Sequence, residues 1–305
     1  MVNFALIIIC MGAGYVLRQT KLIPADAHKG INVWVLYLAL PAVSFKYLPH
    51  ITWGQDMLFP LVTPFIVLLG SIVCFRVFSF FYQYTQKKKL TLILVSGFSN
   101  TSFVGFPLVA SFFGEQYLAI AIICDQATFF LLSTLGVYIA GREDSHVSLG
   151  IRIREAAKRL LTFPPFIGCL CALVLPYMVD LTPIDALFDK LAATVSPLAL
   201  FSVGLQLKFE GWREEIKHIS AALLYKLLLA PALALGFVLL FKGDHAYAAV
   251  SVFEMAMPCL VSTSIVVDQF KLDHKIANLT IGISIIIGLL TASIWFYVLQ
   301  YLFDL

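Results

Sequence analysis

The sequence predicts an all-α polytopic membrane protein of ten transmembrane helices, arranged as two inverted five-helix repeats. Three observations carry this expectation. The 305-residue chain is 60% hydrophobic, with 13% charged residues and a mean hydropathy of +0.91. The charged share is about half the roughly 25% of a soluble domain, so a soluble fold of this chain would lack the polar surface to cover itself. Apolar runs near bilayer length recur from end to end. The basic residues, finally, collect in alternate connections between those runs.

The apolar segments, numbered 1 to 10, are 2–17, 29–48, 57–81, 90–113, 117–140, 163–179, 186–207, 219–241, 246–267 and 276–302. The first and sixth are short. Segment 1 is followed by Arg18 and Lys21 and preceded by no basic residue, so it reads as a retained helix rather than a signal peptide. Seventeen of the 21 Lys and Arg fall in connections 1–2, 3–4, 5–6, 7–8 and 9–10. They are Arg18, Lys21, Lys29, Arg76, Lys87, Lys88, Lys89, Arg142, Arg152, Arg154, Lys158, Arg159, Lys208, Arg213, Lys217, Lys271 and Lys275. Lys46, Lys190 and Lys242 fall on the other side, and Lys226 alone lies well inside a segment, away from its ends. Such a split predicts an integral membrane protein of the plasma (inner) membrane, with basic loops cytoplasmic and both termini outside.

The longest polar connection, 142–162, divides the chain into 1–141 and 163–305, with five segments in each half. An odd number of spans per half gives the halves opposite orientation, the signature of an inverted repeat. Within the connection, Arg152 to Arg159 reads either as a solvated linker or as an amphipathic helix on the inner leaflet.

Several classes are excluded at this level. A net charge of +3 gives no case for nucleic acid. The six cysteines lie in apolar runs and read as packing residues. The six histidines lie in or near polar connections, and no metal-ligand cluster or Gly-x-Ser-x-Gly motif is present, so neither an enzyme, a metal site nor a cofactor is expected.

Helix breakers recur at matching places in the two halves. Segment 2 carries Pro41 and segment 7 carries Pro197. Segment 4 carries SNTSFVGFP, with Asn100, Thr101, Gly105 and Pro107, and segment 9 carries EMAMPCLVSTS, with Glu254, Pro258, Ser262, Thr263 and Ser264. Proline lacks an amide hydrogen and opens its helix, and the freed backbone groups cannot face lipid. Segments 4 and 9 are therefore expected to cross as proline-broken helices. Their half-helix N-termini would suit a small anion, with Asn100, Thr101, Gly105, Pro107, Pro258, Ser262 and Thr263 as the binding residues. Pro41 and Pro197 are expected as breaks in supporting helices.

Three ionisable groups sit away from segment ends: Asp125, Lys226 and Glu254. Such groups are costly in hydrocarbon and mark a cavity, a partner or an ion pathway. Asp125 and Glu254 are candidates for a proton or coupling-ion site. Lys226 is expected to pair with one of them, or to neutralise an anionic substrate. Lys46 reads as an interface anchor.

At these residues the sequence resembles the auxin efflux carrier family, in its short prokaryotic form. The resemblance rests on SNTSFVGFPLVASFFG (99–114), SPLALFSVGLQL (196–207), AMPCLVSTSIVVDQF (256–270), MGAGYVLRQTKLIP (11–24) and NVWVLYLALPAVSF (32–45). It implies a scaffold of helices 1, 2, 6 and 7 and a transport domain of helices 3–5 and 8–10 that moves in elevator fashion. It implies carriage of small carboxylates, auxin-like or malonate- and malate-like, with proton or sodium coupling open. Homodimers through the scaffold are a further expectation. The short central connection departs from the long loop of plant members, so regulation through such a loop is not carried over. The competing reading of the same residues is a cation/proton antiporter or sodium-coupled carrier with Asp125 as ion ligand. Against it, no adjacent acidic pair stands in a central helix.

Overall fold

A computed structural model of the chain describes residues 2–24, 26–51, 53–82, 84–143, 149–207, 211–241 and 243–304. His146, Lys208 and Lys242 lie outside the described residues, as does the side chain of Arg152. The described residues are mostly helical, and no strand occurs among them.

Six helices are long and apolar enough to cross a membrane: Ala27–His50, Gln55–Tyr82, Glu115–Ala140, Thr182–Gln206, Trp212–Leu239 and His274–Phe303. They fall on segments 2, 3, 5, 7, 8 and 10. The other four segments behave differently for two reasons. Segments 1 and 6 form the shorter helices Val2–Gln19 and Pro164–Val174. Segments 4 and 9, expected as proline-broken helices, are each cut in two. Segment 4 gives Gln86–Gly97, then a π-helical turn Thr101–Gly105 and the helix Phe106–Phe112. Segment 9 gives His245–Met255 and Thr263–Gln269. The central connection contains the helix Leu149–Thr162.

Local chemistry fixes where these helices begin. Thr85 Oγ1 accepts from the Lys88 amide at 3.3 Å. Asp244 Oδ1 accepts from the Ala246 and Tyr247 amides at 2.8 and 3.2 Å, and Asp273 Oδ1 accepts from the Ile276 amide at 3.1 Å. Each satisfies amides that the first helical turn leaves without partners.

A second regularity concerns proline. The π-turns Val35–Ala39, Thr101–Gly105 and Tyr225–Leu229 each end two residues before a proline: Pro41, Pro107 and Pro231. A wider turn absorbs the ring and the missing donor that would otherwise break the helix. The Leu227 carbonyl, four residues before Pro231, accepts a hydrogen bond from Trp295 Nε1 at 2.9 Å. Pro231 cannot supply the i+4 amide that this carbonyl would receive in a regular helix.

The chain divides into two compact units. The first comprises Met1–Trp53, Ser102–Ile122 and Leu160–Leu207; the second comprises Gly54–Thr101, Ile123–Arg159 and Lys208–Leu305. The chain passes from the second to the first between Thr101 and Ser102, inside a π-turn.

In the first unit, helices Val2–Gln19 and Val195–Gln206 touch through glycine. A Cβ on Gly14 would stand 2.3 Å from the Phe201 carbonyl oxygen, and one on Gly204 would stand 2.2 Å from that of Met11. Close backbone approach through small residues is the usual means of helix packing in lipid. Arg18 Nη1 donates to the Leu205 carbonyl at 2.9 Å, at the end of the second helix. In the second unit, Tyr225 OH donates to the Val67 carbonyl at 2.5 Å. Gly70 leaves room for that ring, since a Cβ there would stand 2.5 Å from the phenolic oxygen.

Candidate functional site

The second unit holds both interruptions. Helix Gln86–Gly97 ends at Phe98, which is extended (φ −129°, ψ 134°). Helix His245–Met255 ends before Pro258, whose missing amide prevents continuation. Extended backbone in an apolar interior must find hydrogen bonds, and these two stretches find each other. The Asn100 amide donates to the Pro258 carbonyl at 2.8 Å, and the Leu260 amide donates to the Phe98 carbonyl at 3.0 Å. Ser99 and Cys259 are thereby paired in an antiparallel bridge. The Cys259 amide donates outward to Ser284 Oγ at 3.1 Å. A Cβ on Gly288 would stand 3.1 Å from that of Pro258, so the absent side chain at 288 seats the proline ring.

Five polar side chains gather around this bridge, all but fully buried. Lys226 Nζ donates to Ser99 Oγ at 2.6 Å and to the Met255 carbonyl at 2.9 Å. Thr101 Oγ1 donates to Asp125 Oδ1 at 2.6 Å. Glu254 is fully buried, and neither carboxylate oxygen has a hydrogen-bond partner among the described residues. It interacts with the charges of Asp125 and Lys226. Asn100 is also fully buried, with neither Oδ1 nor Nδ2 hydrogen-bonded among the described residues. Leaving a buried polar group without a partner costs about 1–3 kcal/mol, so two such side chains beside one bridge are a strong departure from ordinary packing.

The sequence expectations fare unevenly. Asn100, Thr101, Asp125, Lys226, Glu254 and Pro258 come together in the second unit. Lys226 does not form the expected ion pair: among the described residues its partners are a hydroxyl and a carbonyl, and it belongs to no salt bridge. Its π-turn carries it to the end of helix His245–Met255, where carbonyls lack intrahelical donors. Pro107 does not mark the interruption of segment 4, which falls upstream at Phe98–Asn100. It sits in the first turn of helix Phe106–Phe112, just after Gly105.

The hydroxyls of segment 9 turn back on their own chain. Thr263 Oγ1 donates to the Leu260 carbonyl at 2.5 Å, and Ser264 Oγ donates to the Val261 carbonyl at 2.8 Å. Ser262 precedes helix Thr263–Gln269 and makes no side-chain cap. Pro41 follows its π-turn and packs against Gly168, where a Cβ would stand 2.7 Å from the proline Cβ. Pro197 lies in the first turns of helix Val195–Gln206.

The first unit contains a separate feature that the sequence reading missed. A cavity of about 260 Å³ is lined by Lys46, Tyr47, Pro107, Ser111, Glu115 and Pro197, among others. Tyr47 OH donates to Glu115 Oε2 at 2.7 Å. Lys46 Nζ lies 3.4 Å from the same oxygen and 3.1 Å from Asp189 Oδ1. Lys46 is thus a cavity residue as well as a boundary one. Its isolation among the few basic residues of the sparse loops was the available signal. Among the described residues, no group of three or more His, Cys, Asp or Glu is arranged to hold a metal.

With this geometry in place, comparison with known proteins is informative. Residues 1–296 match the family described as membrane transport protein. The chain is 25% identical over 303 residues to "Uncharacterized transporter MJ1031" of Methanocaldococcus jannaschii, covering 96% of this chain and 97% of the relative. It is 25% identical over 298 residues to an "Uncharacterized transporter" of Methanothermobacter thermautotrophicus, covering 94% of each. It is 24% identical over 306 residues to a protein named "Putative malonate transporter" of Rhizobium meliloti, covering 94% of this chain and 92% of the relative.

Proposed function

We propose, from the premise that the chain belongs to the membrane transport protein family, that it is a secondary carrier of small organic anions. The chain is an integral membrane protein of a transporter family, the one to which the auxin efflux carrier resemblance pointed. The proposal adds substrate class, site and mechanism. Its site is the crossover at Ser99–Cys259, and the observation that carries it is Asn100. A fully buried amide with both polar atoms unpartnered among the described residues supports a ligand that accepts from Nδ2, as a carboxylate does. Thr101 and Asp125 hold the segment that presents it.

In this reading the shorter and interrupted helices complete ten spans in two inverted repeats. The basic loops are cytoplasmic, both termini are outside, and the membrane is the plasma (inner) membrane. Helices 3–5 and 8–10 form a transport domain that moves against a scaffold of helices 1, 2, 6 and 7, through which homodimers form. Asp125 and Glu254 are the groups available to exchange a proton as the carrier cycles. Because one relative bears the name of a malonate transporter, small dicarboxylates are the first substrates to try.

A thermal-shift screen of purified protein against mono- and dicarboxylates tests the proposal, across pH and with or without sodium. Saturating ligand at about 100 times Kd adds roughly 2.7 kcal/mol of stability. The expected result is stabilisation by one class of small carboxylate, with uptake or efflux of that acid in proteoliposomes. Folded protein that neither responds to nor carries any carboxylate overturns it.

The second reading, a cation/proton antiporter, draws on Glu254, a buried carboxylate without a hydrogen-bond partner. It predicts proton flux driven by a sodium gradient with no organic anion present.

A further inference from the structure

The placement of Lys226 bears on ion coupling, and does so whether or not the substrate reading above holds. Where a helix stops inside a membrane protein, its last carbonyls carry the negative end of the helix dipole. Interrupted helices of membrane carriers use such carbonyl ends to coordinate coupling cations. Helix His245–Met255 stops in this manner, at a residue that is itself fully buried. The oxygen atoms at its end are the Met255 carbonyl and, from the facing extended segment, Ser99 Oγ, which lies 3.5 Å from that carbonyl. These are hard oxygen ligands of the kind that suit a sodium ion.

Both are already occupied from within the chain. Lys226 reaches them at 2.9 and 2.6 Å, its side chain wholly buried. It forms no close ion pair among the described residues, and its hydrogen bonds go to this oxygen set, with the Glu254 carboxylate nearby. The π-turn Tyr225–Leu229, set by Pro231, turns the lysine toward it.

We propose that Lys226 is a built-in cation, filling with its own amino group the carbonyl-end site that a free alkali ion would otherwise take. The carrier therefore needs no sodium or potassium at this position. The amino group is tethered to the chain and cannot dissociate, so the site beside the Ser99–Cys259 bridge stays filled through the whole cycle.

The test is thermal stability in matched chloride salts of sodium, potassium and choline, on wild type and two variants, with no organic substrate present. A failure here is thereby separable from a failure of the carboxylate reading. Lys226→Ala opens the site, and Lys226→Met fills it without a donor. Wild type is expected to have the same Tm in all three salts. Lys226→Ala is expected to fall by several degrees and to regain much of the loss in sodium chloride or n-propylammonium chloride. Lys226→Met is expected to fall without regaining it.

A sodium- or potassium-specific rise in wild type overturns the proposal, because the site would then be open. So does a Lys226→Ala protein that matches wild type, or one that falls but responds to no cation. If both variants fail to fold, the wild-type comparison alone decides: an alkali-specific rise overturns the proposal, and equal Tm in the three salts supports it.

Discussion

The two interruptions in the second unit look alike in sequence, each a proline among small polar residues, yet they are built in opposite ways. On the segment 9 side Glu254 keeps both carboxylate oxygens without a hydrogen-bond partner among the described residues, but the polar groups after it are consumed. Lys226 takes the Met255 carbonyl, Ser284 takes the Cys259 amide, and Thr263 and Ser264 bond back to Leu260 and Val261. On the segment 4 side Thr101 is tied to Asp125, while Asn100 is left with both amide atoms unmatched. Beyond Glu254, the segment 9 stretch from Met255 to Ser264 is a closed support, while the segment 4 stretch presents an open amide at the bridge itself. Pseudo-symmetric sequence thus yields asymmetric chemistry, because a break in apolar surroundings must be satisfied by whatever its neighbours happen to supply.

The largest effects are expected from the groups that hold the paired segments. Thr101→Val keeps the shape and removes one donor from a buried carboxylate. A hydrogen bond to a charged group contributes about 1.5–3 kcal/mol, so the variant should lose stability of that order, and Thr101→Ser should recover most of it. Thermal or denaturant unfolding in detergent checks this. A Thr101→Val protein as stable as wild type would mean that the Thr101–Asp125 contact does not brace the segment.

The two prolines separate next. Pro258 lies inside its interruption, and Pro107 lies in the helix after one. Pro258→Ala restores an amide donor where the chain must stay extended, and should reduce transport about tenfold or more. Pro107→Ala changes a turn already accommodated by Thr101–Gly105, and should leave at least half the transport rate. Equal losses would show that the two positions play the same part, and the contrast between the two sides would fail.

This contrast also shows where the sequence was legible. The positions of the six long apolar helices and the polar company of Asn100 follow from local pattern, since hydropathy and hydrogen-bonding capacity are properties of a few adjacent residues. The place of the break in segment 4 does not. Proline drew attention to position 107, but a π-turn absorbs Pro107, and the extended stretch settles at Phe98–Asn100, where Pro258–Leu260 offers donors and acceptors. That pairing joins residues about 160 positions apart and involves backbone atoms, which leave no side-chain signature. The hydrogen-bond partners of Lys226 were hidden for the same reason. A charged partner can be sought among carboxylates in a sequence, but a free helix carbonyl looks like every other peptide unit. The cavity residues Lys46, Tyr47 and Glu115 escaped because each lies near a segment end, where polar residues are ordinary.

Asn100→Ala should then act on function with little effect on the fold. Among the described residues the asparagine makes no side-chain hydrogen bond that its loss could break. Removing an unmatched buried amide relieves a desolvation cost of about 1–3 kcal/mol, against the small loss of packing. The Tm of the ligand-free protein should therefore stay level or rise, while affinity for the carboxylate falls about tenfold, equivalent to roughly 1.4 kcal/mol. Isothermal titration of the acid identified in the screen measures one quantity and thermal unfolding the other. A variant that unfolds readily would make Asn100 a structural residue, and one that binds as wild type would remove it from the site.

The smallest effect belongs to Ser264→Ala, on the closed side. Its hydroxyl is spent on the carbonyl three residues before it, in a part-buried turn, where a neutral hydrogen bond contributes about 0.5–1.5 kcal/mol. Stability should drop within that range, and carboxylate affinity should not change. If affinity instead falls as far as in Asn100→Ala, the segment 9 hydroxyls reach the ligand. Both sides of the bridge would then bind it, and the asymmetry would belong to this conformation alone, with the hydroxyls released from their own turn when substrate arrives.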